Sequence, residues 1–157
     1  MGGIICQKKK TVNETPFSPE TNTGKLIKQI EEAFLDLELE LRTYKTNLVK
    51  CVPLNEQGKL RYPNQSEIKM CFEHLKNEID TLSPKIVFLL GEKVYSSVGK
   101  KLKLSFEKWN GFDFFYKEKD GVYYVPIYHP SYIHVYKKKN IDEYIAGIIK
   151  VICKLLT

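Results

Sequence analysis

The segment Ser83-Pro84-Lys85-Ile86-Val87-Phe88-Leu89-Leu90-Gly91 constrains this chain more than any other. Between the Pro and the Gly runs a near-continuous apolar stretch, the pattern of a strand covered on both faces, where neither side of the pleat meets water. Ahead of it Ile68, Cys71, Phe72, Leu75, Ile79 and Leu82 are spaced as the buried stripe of a helix. Ser66 is the candidate N-cap of that helix, with Glu67 in its first turn. Further upstream, Thr43 to Val49 reads as a short strand ending in Lys50-Cys51-Val52-Pro53, followed by a loop from Leu54 to Gln65 containing Gly58 and Pro63. Strand, helix and strand in that order predict a β-α-β unit and a parallel sheet.

The remaining elements extend this plan. Leu26, Ile27, Ile30, Ala33, Phe34 and Leu37 predict an amphipathic helix from about Gly24 to Glu40. A short helix is expected from Glu92 to Val98, and Phe112 to Tyr116 and Val122 to Tyr128 are aromatic, β-rich runs joined at a hairpin-like Lys119-Asp120-Gly121. Ile141, Ile145, Ile148, Ile152 and Leu155 supply a last helix. The expected fold class is α/β, a three-layer α/β/α domain over residues 1–157. Its mainly parallel sheet is expected to contain strands near 43–49, 85–90 and 122–128. There is no internal repeat, and one long linker-like stretch runs from Lys8 to Thr23.

Composition narrows the class. With 43% hydrophobic residues and no apolar run near the roughly 20 needed to span a bilayer, a soluble protein with no membrane partner is expected. Met1 to Lys10 turns basic after a short apolar stretch, the wrong order for a secretory signal, so the expected location is cytoplasmic. Cys6, Cys51, Cys71 and Cys153 are widely spaced without a C-x-x-C pair and read as inert thiols rather than a disulfide framework. The net charge of +6 favours approach to phosphate backbones or acidic surfaces. Lys8-Lys9-Lys10 and Lys137-Lys138-Lys139 hold part of that excess, although each also reads as a solvated loop.

Three segments hold candidate chemistry. Pro16-Phe17 lies in the long loop, while Thr46-Asn47-Leu48-Val49-Lys50-Cys51 and Tyr128-His129-Pro130-Ser131-Tyr132 lie at strand ends, where open α/β sheets place their sites. Taken singly, each has a plain structural reading: a turn asparagine, a structural histidine, a core phenylalanine. Together, with the Ser83-Pro84-Lys85-Ile86-Val87 entry to the apolar strand and a Cys-bearing helix, they resemble the uracil-DNA glycosylase superfamily. The likeness is greatest to its bacterial and archaeal iron-sulfur-type branch and runs from about Pro16 to Leu156.

That resemblance implies hydrolysis of the N-glycosidic bond of uracil in DNA, in base excision repair, with uracil-containing DNA as partner. It implies that Asn47 reads the base, since its carboxamide complements the O4 acceptor and N3 donor of uracil and mismatches cytosine. Phe17 is implied as the ring that stacks on the extruded base, and His129 as the donor to O2 of the departing anion. Ser131 is implied at a phosphate, and Tyr132 or Ile133 as the wedge in the duplex. Cys51 and Cys71 stand where two of the branch's four cluster ligands belong, but the upstream pair has no counterpart, so no cofactor and no metal are expected. The oligomeric state is left open, with self-association through exposed sheet edges a possibility.

The sequence also departs from the family pattern. No Gly-Glu-x-Pro-Gly-like loop, which positions the attacking water, is found, and Glu14 and Glu20 are weak substitutes. The stretch from Phe17 to Gly24 is also longer than the family's. Two alternatives therefore stand beside the enzyme: a catalytically impaired relative that binds DNA or a nucleobase, and a cytoplasmic α/β module that binds a nucleotide or a protein. If the family reading holds, Phe17, Asn47 and His129 are expected to line one pocket.

Overall fold

The structure is a computed structural model that describes residues 17–157. They fall into two compact units, residues 45–83 in one and residues 17–44 with 84–157 in the other.

The larger unit is built on a three-stranded sheet in the order β1-β3-β2. Strand β1 (Ile86–Leu90) pairs parallel with β3 (Val122–Ile127), Val87 opposite Tyr124 and Leu89 opposite Pro126. Strand β2 (Lys117–Lys119) is antiparallel to β3. Asp120 and Gly121 join β2 to β3 with φ of 51° and 79°, the paired positive values a two-residue hairpin turn needs. The sheet is thus mixed, with one parallel pairing and one hairpin.

Side-chain alternation divides its two faces. Val125 and Ile127, with Ile86, Phe88 and Leu90, join a core that also takes Leu26, Ile30 and Phe34 from α1 (Asn22–Leu35). Ile133 of α4 (Pro130–Tyr136) and Tyr144, Ile148, Val151 and Ile152 of α5 (Ile141–Leu156) complete that core. Leu89, Tyr124 and Pro126 are buried on the other face, and α3 (Glu92–Leu102) packs against β1. Helices on both sides of a sheet make the three layers expected of this α/β fold.

Some boundaries moved. Helix α1 stops at Leu35 rather than near Glu40, because Leu37, Leu39 and Leu41 alternate with charged residues and reach the core from a turn, bends and irregular chain. Leu35 itself is left 83% exposed. The aromatic run Phe112 to Tyr116 is irregular, and the paired strand begins only at Lys117.

In the smaller unit, α2 (Gln65–Leu82) is capped by Asn64 rather than Ser66. The Asn64 side chain accepts the Glu67 N–H at 2.9 Å and the Glu67 carboxylate accepts the Asn64 N–H at 2.8 Å, a reciprocal capping box. Arg61 clamps the same carboxylate through both of its terminal nitrogens. The strand expected near 43–49 is not formed, and no described strand pairs with this segment. A β-rich sequence becomes a strand only when a neighbour takes up its backbone N–H and C=O groups.

Candidate functional site

Strand β3, the middle strand, delivers Tyr128 and His129 to the carboxyl end of the sheet, and the chain turns there into α4. Pro130 occupies the first helical position, where its missing N–H is no loss, and His129 is the N-cap. The proline directly after a polar residue is the sequence signal for this helix start.

The cap fixes the chemistry of the imidazole. Ser131 donates its backbone N–H to His129 Nδ1 at 3.1 Å, and its Oγ lies 2.7 Å from the same nitrogen. An amide N–H can only donate, so Nδ1 must carry the lone pair and the ring proton resides on Nε2. The ring is half-buried, and burial lowers its pKa from the ordinary 6.5. His129 is therefore held as a neutral imidazole with Nε2–H as its one available donor.

Three contacts position this histidine. Gly91, directly after β1, has φ +94° and donates its N–H to the Ile127 carbonyl at 2.9 Å. A Cβ at residue 91 would stand 3.3 Å from the His129 Cβ, so both the backbone and the space call for glycine. Tyr144, fully buried in α5, donates its hydroxyl to the Tyr128 carbonyl at 2.6 Å. The Tyr128 ring lies 4.2 Å from Trp109, whose indole N–H bonds the Pro126 carbonyl at 3.0 Å. Gly91 read only as the end of the apolar strand and Tyr144 did not stand out in the sequence, since each reaches the site from a distant segment.

The other expected site residues are distributed as follows. Ser131 and Tyr132 are exposed on α4 beside His129. Ile133 is 0% exposed and belongs to the core, which removes it as a wedge: α4 turns that residue toward α1 and α5. Phe17 is half-buried just before α1, and its carbonyl and that of Ser18 press on Gly24, where a Cβ would lie 1.8 Å from the Ser18 oxygen. Asn47 lies in the smaller unit, exposed, with its backbone carbonyl accepting from Lys50 Nζ at 2.8 Å. Lys50 is held in turn by Glu78 at 2.6 Å, which also accepts from Thr46 at 3.0 Å. Glu20 is exposed, and Glu14 lies outside the described residues.

The cluster of the branch that the sequence resembles takes four thiolate ligands. Cys71 is a buried free thiol and Cys153 a half-buried one, as inert thiols would be, but Cys51 is disulfide-bonded, contrary to expectation. Among the described residues no three His, Cys, Asp or Glu side chains form a possible metal site. A shallow cavity of about 440 Å³ along α3, lined by Tyr95, Ser96, Lys100, Lys103, Ser105 and Phe106, contains none of the expected site residues. Among the described residues no helix is long and apolar enough to cross a membrane.

Residues 7–152 match the uracil DNA glycosylase superfamily. The Type-4 uracil-DNA glycosylase of Saccharolobus solfataricus is 31% identical over 118 residues, which cover 69% of this chain and 50% of that protein. The chain thus spans about half the length of the curated relative it matches. The family match over residues 7–152, nearly the whole length of this α/β chain, places it in the uracil-DNA glycosylase superfamily.

Proposed function

We propose that this chain acts on uracil in DNA as a uracil-DNA glycosylase, hydrolysing the bond between uracil N1 and the deoxyribose C1′. The observation that carries this reading is the pair of contacts from Ser131 to His129 Nδ1, which leaves Nε2–H as a neutral donor. As the glycosidic bond breaks, its electron pair passes to the base and negative charge builds on N1 and O2. A fixed neutral donor at O2 stabilises that charge without surrendering its proton. Water adds its oxygen to C1′, one water proton passes to solvent, and the uracil anion is protonated after release.

Asn47 reads the O4 and N3 edge in this proposal, and Phe17 stacks on the extruded base. Ser131 meets a phosphate beside it, and Tyr132 enters the base stack as the wedge. The setting is base excision repair in the cytoplasm.

A second reading is a relative that binds uracil in DNA but cleaves slowly. It is favoured by one observation: these 157 residues contain no Gly-Glu-x-Pro-Gly-like segment to position the water. An abasic-site assay on a uracil-containing oligonucleotide, with the 157-residue chain beside its Asn47→Ala and His129→Ala variants, decides between them. The enzyme reading expects excision that falls by ~10²–10³ when His129 is replaced. Slow or absent excision with uracil-dependent binding that both substitutions weaken supports the second reading. Excision indifferent to both substitutions sinks the assignment of the site.

A further inference from the structure

We infer that α4 carries a stacking track for unpaired bases, running from the His129 site along Tyr128, Tyr132 and Tyr136 to Lys137, Lys138 and Lys139. That the strand it holds is DNA rests on the glycosylase reading, whereas the track itself rests on ring geometry and charge.

The rings form a ladder. Tyr128 and Tyr132 stack with centroids 5.7 Å apart and planes 15° from parallel. Tyr132 and Tyr136, one helical turn apart, lie 5.2 Å from each other at 40°. The inner end is held by Trp109 and by the Tyr144 bond to the Tyr128 carbonyl, so the ladder starts from a fixed point next to His129. Exposure increases outward: Tyr128 is half-buried, Tyr132 is 41% exposed and Tyr136 is 71% exposed. Val135, on the same short helix, is also 64% exposed.

A folded domain gains nothing in its own core from aromatic rings left in water, and scattered exposed apolar residues are ordinary; a graded ring ladder is neither. Directly after the outermost ring come three exposed lysines, the last two in the short 3₁₀ turn Lys138–Asn140. Aromatic faces followed by a basic run match single-stranded nucleic acid, in which bases offer π-faces and phosphates repeat along the backbone. A duplex keeps its bases stacked on each other and hides those faces. The lysines tell against an apolar protein surface, and the ring ladder tells against a merely acidic one, which would leave the ring faces without a use.

The test is equilibrium binding of the 157-residue chain to a short oligothymidylate, by fluorescence anisotropy, against a duplex of equal length. We expect the single strand to bind more tightly. Tyr136→Ala should weaken it roughly tenfold, Tyr136→Phe should restore it, and Tyr136→Leu should not, which separates stacking from a merely apolar contact. Replacing Lys137, Lys138 and Lys139 by Gln should flatten the salt dependence of binding. Circular dichroism of each variant checks that the fold is kept, as the exposure of these side chains leads one to expect. Equal affinity for duplex and single strand, or binding unaffected by Tyr136→Ala in a folded protein, overturns the track. Because the oligomer contains no uracil, failure to excise bears on the glycosylase reading alone, and these binding differences bear on the track alone.

Discussion

Gly91 stands against His129: a Cβ at residue 91 would lie 3.3 Å from the histidine Cβ, on a backbone with φ of +94°. A side chain there is strained by conformation, at a cost of order 1–3 kcal/mol, and its methyl group presses on the His129 Cβ. Gly91→Ala should lower stability by about that amount and slow excision beyond what the lost folded fraction explains. Thermal unfolding and excision rates measured well below the variant's Tm separate the two effects. A lower Tm with an unchanged rate would leave Gly91 a purely structural role.

The Ser131 contacts predict a pH response. Burial lowers the His129 pKa from 6.5, and protonating Nδ1 would break the bond from the Ser131 N–H. A histidine depressed in the folded state binds fewer protons there than when unfolded. Its contribution to stability is therefore complete above the unfolded value of 6.5 and is lost as pH falls through the lower folded value. Imidazole titration by NMR from about pH 8 to about pH 5 should show Nε2–H as the neutral tautomer. In Ser131→Ala, loss of a donor to the neutral ring should raise the His129 pKa toward its ordinary value; a downward shift would contradict the geometry.

Tyr144 offers a test of the scaffold behind the site. Its hydroxyl is buried and donates to the Tyr128 carbonyl, and burial holds the phenol well above its usual range. Tyr144→Phe keeps the ring but leaves that carbonyl unpaired beside His129, which should cost about 1–3 kcal/mol in urea unfolding. An unchanged midpoint would mean that the carbonyl finds another donor.

In the smaller unit, Glu67 predicts an acid transition. The Arg61 guanidinium and the Asn64 N–H lower its pKa from 4.5 to about 2. A depressed carboxylate stabilises fully above the unfolded value of 4.5 and loses that contribution as pH falls through about 2. Glu67→Gln should be destabilised at neutral pH, and its deficit relative to the parent should shrink as pH is lowered across that window. A deficit that stays constant with pH would assign the loss to the capping geometry and not to the charge.

What was legible in the sequence follows the range of each interaction. Ile86 to Leu90 read as a doubly covered strand because five apolar residues in a row leave no face for water; β1 is a strand over these residues, but it lies at the edge of the described sheet and only Leu89 is buried. Asp120-Gly121 read as a hairpin turn because both positions tolerate positive φ, and the chain reverses there. Residues 43–49 had the composition of a strand but not the outcome, since pairing requires a neighbour that local composition cannot supply. Tyr132 and Ile133 looked equivalent as wedges until the helix phase of α4 sent one to solvent and the other to the core.

The sequence by itself determined the elements whose cause lies within a few residues: the periodicity of α1, α2 and α5, the turn before β3, and the adjacency of His129 and Ser131. Only the tertiary structure decided which nitrogen of His129 is free to donate, because that depends on the cap geometry of α4. It alone brought Gly91 from the end of β1 and Tyr144 from α5 against the segment 128–129, and aligned Tyr128, Tyr132 and Tyr136 into a ladder. Periodicity and turn chemistry are properties of consecutive residues, whereas close approach, tautomer and ring stacking arise only when separate segments share one site and each polar group must find its partner there.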